Sequence, residues 1–313
     1  MTTQIPYEQW IVAQFSITVT VVGTVFNALT LFILCRTSFR ETSARPVIHY
    51  MRAMAVFDTL MLYGWNIDHY LKPIHGFTLQ TLNIPMCRFL SFLNYFAAQA
   101  SAWFRVFVSL DRYLALSRLH RTWFGKSQNV LIVIFCVILI TTLINGLFFV
   151  VGCSINSNGS ISVLSWAFQI YPTWDYLNLV FYNCLPFLLM MIFNCGVIYH
   201  LIKLRQTSTL ATSRIDHRSI SVTLLTTTFL FLLMTIPVTV AFAFFFWIDV
   251  AILRALDGLL YSYHVLSFPL YLLTFDEFRN QFLILIRIRR NDRRIGPSML
   301  HSKTIGTVSR VIP

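Results

Sequence analysis

Charged residues are scarce in this chain, and acidic ones are the scarcest. Its 313 residues include only 12 aspartates and glutamates, and all charged residues together make up 12%, about half the share of an ordinary soluble domain. Hydrophobic residues make up 57%, and the mean hydropathy is +0.67. One globular core cannot enclose so much apolar surface, so the excess must face lipid. The composition excludes a soluble protein and predicts a polytopic membrane protein.

Sequence signs of catalysis are missing as well. The chain has no His/Glu pair at metal-ligand spacing, no glycine-rich phosphate loop and no nucleophile elbow. These absences disfavour an enzyme, and we expect neither a metal nor a cofactor. No inverted repeat of the kind found in many transporters is visible either.

Seven stretches are apolar and long enough to cross a bilayer, which takes about 20 residues per helix. Helices are expected because lipid offers no partner to unpaired backbone groups. The predicted spans are residues 11–35, 48–70, 86–112, 128–152, 175–202, 220–247 and 252–273. The sequence therefore predicts an all-α seven-helix transmembrane domain over residues 11–273, preceded by a short extracellular segment at residues 1–10.

The basic residues favour one side of this predicted bundle. Seven spans place alternate connections on opposite sides, and one side contains only Lys72, Arg88 and Arg254. The other side contains the remaining lysines and arginines, apart from Arg105 inside a span. Basic loops stay in the cytosol, which predicts an extracellular N-terminus in the plasma membrane. The net charge of +12 is thus a topology signal, and a nucleic-acid partner is not expected.

Two of the six cysteines lie at the outer ends of spans. Cys87 and Cys153 face the oxidising side of the membrane, so they are expected to form a disulfide. The other four lie within spans or at their inner edges, where cysteine is typically a small buried hydrophobe. The loop after Cys153 contains Asn158-Gly-Ser, a predicted glycosylation site that supports the extracellular assignment.

Two charged residues interrupt otherwise apolar segments, Asp58 in MRAMAVFDTLML and Arg105 in SAWFRVFVSL. A charge at such depth costs several kcal/mol unless it is paired or hydrated, so both are functional candidates. At 1.5 Å of rise per residue, the two lie at similar depths, about 10 Å from the inner end. We therefore hypothesise an intramembrane ion pair, with Ser101, one turn above Arg105, adding a hydroxyl.

Alternatives to this ion pair stay open. Asp58 lies near an interface if the second span is shifted along the sequence. Arg105 reaches water near the inner leaflet if its long side chain snorkels.

A separate feature concerns the later spans, where Pro186, Pro237 and Pro269 each remove a helical hydrogen bond and predict a bend.

The third span runs from Cys87 to the triplet Asp111-Arg112-Tyr113. The 25 residues from Cys87 to Arg112 make about 37 Å of helix, longer than the roughly 30 Å of hydrocarbon. The cysteine thus reaches one surface and the triplet the other. This arrangement resembles the rhodopsin-like G-protein-coupled receptors. The resemblance covers about residues 10–285 and includes further motif positions at Asn27, Asp58, Pro186, Pro237, Pro269 and Tyr271.

The resemblance implies that Arg112 is a switch, held by Asp111 at rest and released to face the C-terminal helix of a Gα subunit. Judged without the family, Arg112 is an interfacial residue that anchors the span. Asp58 with Ser101 matches the family's sodium site, and His264 falls where the family supplies sodium ligands. Because Arg105 is close by, we expect the arginine to replace the ion. The implied partners are an extracellular ligand and a heterotrimeric G protein, with arrestin and kinases acting on the tail.

Several positions depart from the family's pattern. Thr235 stands where a tryptophan usually precedes the sixth-helix proline, and Phe268 replaces the asparagine of the seventh-helix motif. Tyr271 follows Pro269 by two residues rather than three. These departures predict a differently set switch or high basal activity.

Aromatic and acidic residues crowd the predicted outer third, and interfacial aromatic belts account for part of them. The acids suit a cationic ligand. Asn94 stands where monoamine receptors have an aspartate, which disfavours an amine. ARPVIHY and AMAVFDTL resemble invertebrate neuropeptide receptors of the FMRFamide type, which predicts a short peptide with a basic residue. The candidate ligand-pocket residues are Asn94, Trp174, Asp175, Trp247, Asp257 and Tyr261.

The segment after the last span is predicted to lie on the inner leaflet. Residues 275–290 place Phe278, Phe282, Leu285 and Ile286 on one face of an amphipathic helix. Residues 291–313 are polar and predicted to be disordered.

The alternative function is a transporter or channel that moves a substrate along Asp58, Arg105 and His264, since ionisable residues inside membranes mark such pathways.

Overall fold

The computed structural model describes residues 6–36, 47–117, 126–162, 170–207, 214–245, 247 and 249–292. Side chains are described throughout these ranges except at residues 170–172, 204–207, 214–224 and 287–292. Most of the predicted C-terminal tail at 291–313 and the first five residues of the predicted N-terminal segment therefore lie outside the described residues.

The described chain forms the predicted all-α bundle. The first span is α1 (Tyr7–Leu34), and the third, α4 (Ile84–Leu116), packs against the second, fourth and fifth. The sixth span is α9 (Arg214–Phe244). The remaining helices are α2 (Val47–Leu62) and α3 (Asn66–His75) in the second span, α5 (Ser127–Asn145) and α6 (Phe148–Val151) in the fourth, α7 (Ile170–Asn178) and α8 (Leu185–Thr207) in the fifth, α10 (Val250–Tyr263) and α11 (Ser267–Thr274) in the seventh, and α12 (Asp276–Asp292) after it.

Four stretches of the described chain are long and apolar enough to cross a membrane on those grounds alone, residues 7–34, 127–151, 173–203 and 225–244. The second and seventh spans are each divided into two helices. The third is continuous but carries buried polar side chains, among them Asn94, Gln99 and Arg105. These three less apolar spans supply most of the polar interior, whereas the other four present more of their surface to lipid.

The second span breaks at residues 63–65 and the seventh at residues 264–266. Gly64 lies so close to the third span that an added Cβ would approach Asn94 Oδ1 to 2.8 Å. Asn66 follows that break and donates to Ser16 O at 3.2 Å and to Thr20 Oγ1 at 2.8 Å. The Asn66 side chain thus ties the second span to the first just beyond the break.

The prolines do not coincide with these breaks. Helix α9 continues through Pro237, and Pro269 lies in the first turn of α11, where a missing N–H leaves no helical bond unmade. Pro186 is the second residue of α8, directly after a π-helical segment at Leu179–Cys184. The bend predicted at each proline therefore stays a prediction, and in the seventh span the break in the helix comes before the proline.

Arg52 caps the first helix. Its Nε and Nη2 donate to Leu34 O at 3.1 and 2.6 Å, a carbonyl at the end of α1 where no later turn supplies a donor. A positive charge at a helix C-terminus is also favoured by the helix dipole. Arg52 of the second span therefore joins the first two helices through hydrogen bonds.

One end of the bundle carries the predicted disulfide. Cys87 at the start of α4 is bonded to Cys153, which precedes the hairpin of β1 (Ser154–Ile155) and β2 (Ile161–Ser162). Asn158 lies exposed in the turn of this hairpin, next to Gly159 with φ of 78°. The Cys87–Cys153 end is called the disulfide end below, and the opposite end, with Asp111-Arg112-Tyr113, the Arg112 end.

Helix α12 begins within one residue of the predicted segment, but its apolar face is used differently. Phe278 is fully buried, with ring centroids 5.8 Å from Phe268 and 5.7 Å from Tyr271. Phe282 also contacts Phe268, at 5.5 Å. Two of the four side chains predicted to face the membrane therefore pack on the seventh span, whereas Ile286 is 47% exposed.

Substituting Gly23 tests the packing of the first, second and seventh spans. A Cβ at this position would contact Leu62 and come within 2.7 Å of Val265 at the seventh-span break. Overpacking of this kind costs about 1–3 kcal/mol, so Gly23→Val should lower the melting temperature of the purified protein by about 5 °C. The half-exposed neighbour Val22 is the control, and Val22→Ala should change little. Equal melting temperatures for both variants would contradict this packing.

Candidate functional site

Asp58 is the centre of a buried group of polar side chains from three spans. Its Oδ1 accepts from Ser101 Oγ at 2.5 Å and from Arg105 Nη2 at 2.9 Å. Its Oδ2 accepts from the same Nη2 at 2.8 Å and from Ser267 Oγ at 3.2 Å. His264 Nδ1 lies 2.7 Å from Oδ1. These five residues are called the Asp58 centre.

The structure thus contains the hypothesised ion pair between Asp58 and Arg105. Asp58 is 0% and Arg105 5% exposed, so the guanidinium does not reach water in the way that snorkelling requires. Arg105 Nη1 also donates to Ser101, and the guanidinium lies 4.6 Å from the centre of the Tyr263 ring. A buried charge pair is stable only when such additional contacts complete it. Ser267 and Tyr263 were not predicted, and only the three-residue spacing of Ser267 from His264 hinted at a shared site.

The hydrogen bonds also indicate the tautomer of His264. A carboxylate only accepts, so Nδ1 carries the proton shared with Asp58. Nε2 can then accept from Tyr182, whose hydroxyl lies 3.4 Å away. Asn27, another predicted core residue, donates to His264 O at 3.2 Å and so holds the seventh-span break. Among the described residues, no group of three or more His, Cys, Asp or Glu side chains is arranged to hold a metal.

Two cavities open at opposite ends of the bundle. The disulfide-end cavity measures about 490 Å³. The Arg112-end cavity measures about 550 Å³. The first is lined by, among others, Trp65, Asn94, Asp175, Tyr182, Asp257 and Tyr261, and the second by Met51, Met54, Arg105, Arg112, Met190 and Tyr271.

The Asp58 centre connects these cavities. Tyr182 is in the wall of the disulfide-end cavity, and Arg105 is in the wall of the Arg112-end cavity. His264 and Asp58 stand between them in the described structure. The Tyr182 hydroxyl lies 3.4 Å from His264 Nε2, and His264 Nδ1 lies 2.7 Å from Asp58 Oδ1. Asp58 Oδ2 accepts from Arg105 Nη2 at 2.8 Å. A continuous series of polar contacts therefore runs from the wall of one cavity to the wall of the other.

A sequence profile described as "7 transmembrane receptor (rhodopsin family)" matches residues 16–268. The chain belongs to this rhodopsin family of receptors. No curated protein sequence matches the chain. Receptors of the family are multi-pass membrane proteins that carry signals from extracellular ligands to G proteins, and they are generally not enzymes.

The receptor's Asp111-Arg112-Tyr113 triplet lies near the end of α4, and its three side chains have different environments. Asp111 is 7% exposed, and Arg112 lines the Arg112-end cavity. Tyr113 packs against Gly196 of α8 so closely that a Cβ there would approach its ring to 2.6 Å. The Tyr113 ring also stacks on Phe193 at 6.1 Å. Tyr113 therefore joins the third span to the fifth beside the cavity.

Four of the six predicted ligand-pocket residues line the receptor's disulfide-end cavity: Asn94, Asp175, Asp257 and Tyr261. Within it, Tyr261 donates to Asn94 Oδ1 at 3.1 Å. The other two lie elsewhere. Trp174 is buried against Tyr95 and Phe148, and Trp247 is 69% exposed. A sequence places aromatic residues at the correct level of a helix but not on the correct side of it when several faces are apolar.

A second polar contact, not predicted from the sequence, joins the receptor's fifth and sixth spans. Asn183 donates to Thr239 Oγ1 at 2.8 Å and accepts from Thr235 Oγ1 at 2.6 Å. All three are buried, and Thr239 also lines the disulfide-end cavity. Thr235 replaces the family's tryptophan, and its small hydroxyl side chain makes room for this bond beside Pro237. The three residues are called the Asn183 contact.

Neutralising the Asp58–Arg105 pair tests its contribution. Arg105→Leu leaves a buried carboxylate and Asp58→Leu a buried guanidinium, each a loss of about 3–5 kcal/mol, so both variants should lose surface expression. The double variant Asp58→Asn/Arg105→Gln replaces the pair with neutral groups and should recover most of it. Surface labelling in cells measures the three variants against the wild type. If the double variant is no better than the poorer single one, the two charges do not depend on each other.

Weakening the Asn183 contact should raise basal signalling. Asn183→Val removes both cross-helix bonds, while Thr235 and Thr239 keep bonds to Phe231 O and Thr235 O. Losing two such bonds at about 0.6 kcal/mol each shifts the equilibrium between the resting and active arrangements roughly eightfold toward the active one. Basal G-protein activation at matched surface level measures the effect. Thr59→Val, which removes a hydroxyl bonded to Ala55 O of its own helix, is the control, and an equal basal level in both would contradict this role.

Proposed function

We propose that a short extracellular peptide binds the disulfide-end cavity of this receptor and activates a heterotrimeric G protein at the Arg112-end cavity. The proposed orientation has the N-terminus and the disulfide end outside the plasma membrane. It rests on the basic residues, since only Lys72, Arg88 and Arg254 fall on the disulfide side. The glycosylation sequon at Asn158, exposed at the same end, supports the same orientation.

The observation that carries this proposal is the connection between the two cavities. A ligand that moves Tyr182 or Thr239 in the cavity wall acts on the Asp58 centre or on the Asn183 contact, respectively. Both are hydrogen-bonded groups between spans, which can change between discrete arrangements. The ligand then shifts the equilibrium by its difference in affinity for the two arrangements.

Arg112 is the proposed G-protein switch. It lines the Arg112-end cavity, at the end of a helix whose other end carries the disulfide. A guanidinium forms strong charge-assisted hydrogen bonds with carboxylate or carbonyl oxygens. We propose that it exchanges its resting partners for oxygens of the Gα C-terminal helix when the cavity widens. Arrestin and kinases are further proposed partners, acting on the C-terminal tail.

A peptide is favoured over a monoamine by the cavity itself. Asn94, a neutral residue already bonded to Tyr261, stands where monoamine receptors have a charged anchor. The cavity wall combines aromatic and polar side chains, among them Trp65, Asn94 and Tyr261, and a peptide residue offers both apolar and hydrogen-bonding groups to such a wall. The likeness of ARPVIHY and AMAVFDTL to FMRFamide-type neuropeptide receptors favours the same ligand class.

A transporter or channel is less well supported. Both Asp58 oxygens already accept from side chains of the protein, Ser101, Arg105 and Ser267. A transported cation would have to displace a tethered guanidinium, which carries the same charge and is held by several bonds. For the same reason we propose that Arg105 takes the place of a sodium ion at this centre.

The deciding experiment measures G-protein activation in cells that express the chain, with and without a library of short amidated peptides. Arg112→Ala should reduce the peptide response about tenfold or more, because bonds to a charged group contribute about 1.5–3 kcal/mol. Lys126→Ala, an exposed charge at the same end, is the matched control and should respond like the wild type. Expression at the cell surface is matched for all three.

The outcomes separate the candidate functions. A peptide response that Arg112→Ala removes supports a peptide receptor with this switch. High basal activation without a peptide response supports constitutive coupling and rules out a peptide as the necessary signal. Surface-expressed protein with neither basal nor stimulated activation contradicts a peptide of this library as the ligand, leaves other ligands to be tested and moves weight toward the transporter.

A further inference from the structure

We propose that the disulfide-end cavity recognises a single guanidinium or ammonium group of its ligand and that Asp175 is the residue that holds it. The inference rests on the proposed function only in taking this cavity as the ligand site. It narrows the ligand to a class, a compound with one cationic group close to an uncharged hydrogen-bond acceptor.

The structure divides the aspartates of the disulfide end into two kinds. Asp68 accepts from the backbone N–H groups of Leu79 and Gln80, at 2.7 and 3.2 Å, and so holds the turn after α3. Asp249 accepts from Ala251 N at 2.7 Å and caps α10. These two are structural. The remaining two, Asp175 and Asp257, both line the cavity.

Asp257 has a basic partner in the protein and Asp175 has a neutral one. His69 Nε2 lies 3.2 Å from Asp257 Oδ2, so an imidazole already occupies the space beside that carboxylate. Asp175 accepts a hydrogen bond from the Tyr95 hydroxyl. A hydroxyl satisfies a lone pair but leaves the negative charge unbalanced. Asp175 is therefore the carboxylate in the cavity wall that gains most from an external cation.

No lysine or arginine of the described cavity wall pairs with the Asp175 carboxylate. By sequence, the lysines and arginines on this side are Lys72, Arg88 and Arg254, and none of them lines the described cavity wall. Arg88 donates to Phe149 O at 2.9 Å. The stretches on this side that the structure leaves undescribed, 1–5, 163–169, 246 and 248, contain no charged side chain. A cation that enters this cavity with a ligand therefore meets Asp175 without a competing lysine or arginine in the described wall.

The rest of the wall suits a cation with an attached polar group. Trp65, Tyr95, Tyr182 and Tyr261 contribute aromatic rings, and the face of an aromatic ring attracts a cation. The Trp65 indole Nε1 is buried and has no hydrogen-bond partner among the described residues. An unpaired N–H in a binding wall is satisfied by a ligand carbonyl. A basic residue in a peptide offers both groups, a cationic end and amide oxygens.

The position of Asp175 also connects binding to the signal. Asp175 is in α7, and the π-helical segment that follows it contains Tyr182 and Asn183. Tyr182 contacts the Asp58 centre and Asn183 bonds the sixth span. A cation held by Asp175 therefore acts on the part of the fifth span from which both polar contacts extend.

The test measures binding directly, so that it does not depend on signalling. The probes are N-acetyl-Arg-Phe-amide, whose guanidinium is its only cation, and the same compound with neutral citrulline in place of arginine. At millimolar concentration the arginine probe should raise the melting temperature of the purified receptor by about 2 °C or more. The citrulline probe should not, and a lysine probe tests whether an ammonium serves as well.

Three isosteric variants assign the contact. Asp175→Asn should weaken binding of the arginine probe at least tenfold while leaving the citrulline probe unchanged. Asp257→Asn should weaken the arginine probe less, because His69 already pairs with that carboxylate. Asp249→Asn, an exposed cap outside the cavity wall, is the control and should bind like the wild type. The melting temperatures without probe show that each variant is folded.

Equal shifts with the arginine and citrulline probes, or no shift with either in the wild type, would overturn the inference. So would binding of the arginine probe to Asp175→Asn as tightly as to the wild type. Binding of the arginine probe without any G-protein activation would instead contradict the proposed function and leave the cation site standing. Activation by peptides that lack a basic group would contradict the cation site and leave the proposed function standing.

Discussion

The ion pair between Asp58 and Arg105 is the constraint on which the rest of the bundle depends. Neither charge is tolerated alone in hydrocarbon, and each removes the cost of the other only if the second and third spans meet at one depth. His264 and Ser267 bring the seventh span to the same carboxylate. Three spans are thus fixed by one buried group, which is also why these three are the least apolar.

The broken helices around this pair follow the same physics. At residues 63–65 and 264–266 the helices are interrupted, and polar side chains tie both places to the first span. Asn66 donates to Ser16 O and Thr20 Oγ1 beside the first break, and Asn27 donates to His264 O at the second. Because both breaks are held by side chains and not by helical bonds, they are the places where the interior can rearrange at low cost. Trp65 of the first break also lines the disulfide-end cavity.

Much of this arrangement could be predicted because it depends on distances along a helix. Rise per residue placed Asp58 and Arg105 at one depth, and the length of the third span put Cys87 and Arg112 at opposite ends. What could not be predicted depends on rotation about the helix axis. Trp174 belongs to the right level but packs against Tyr95 and Phe148, and Phe278 turns from the membrane toward Phe268. Trp247 lies beyond the end of the sixth-span helix and is 69% exposed. Hydrophobic periodicity is weak where lipid and protein interior are equally apolar.

Composition, span lengths and the placement of rare charges therefore determined the membrane bundle, its disulfide and the depth of its polar core. Only the packed structure decided that Asp68 and Asp249 serve backbone turns while Asp175 and Asp257 face the cavity. It likewise decided that Asn183 joins Thr235 and Thr239 across two spans. These choices depend on which side chains meet from distant parts of the chain. A polar side chain's role is set by the partner it reaches, and that partner is known only once the helices have packed.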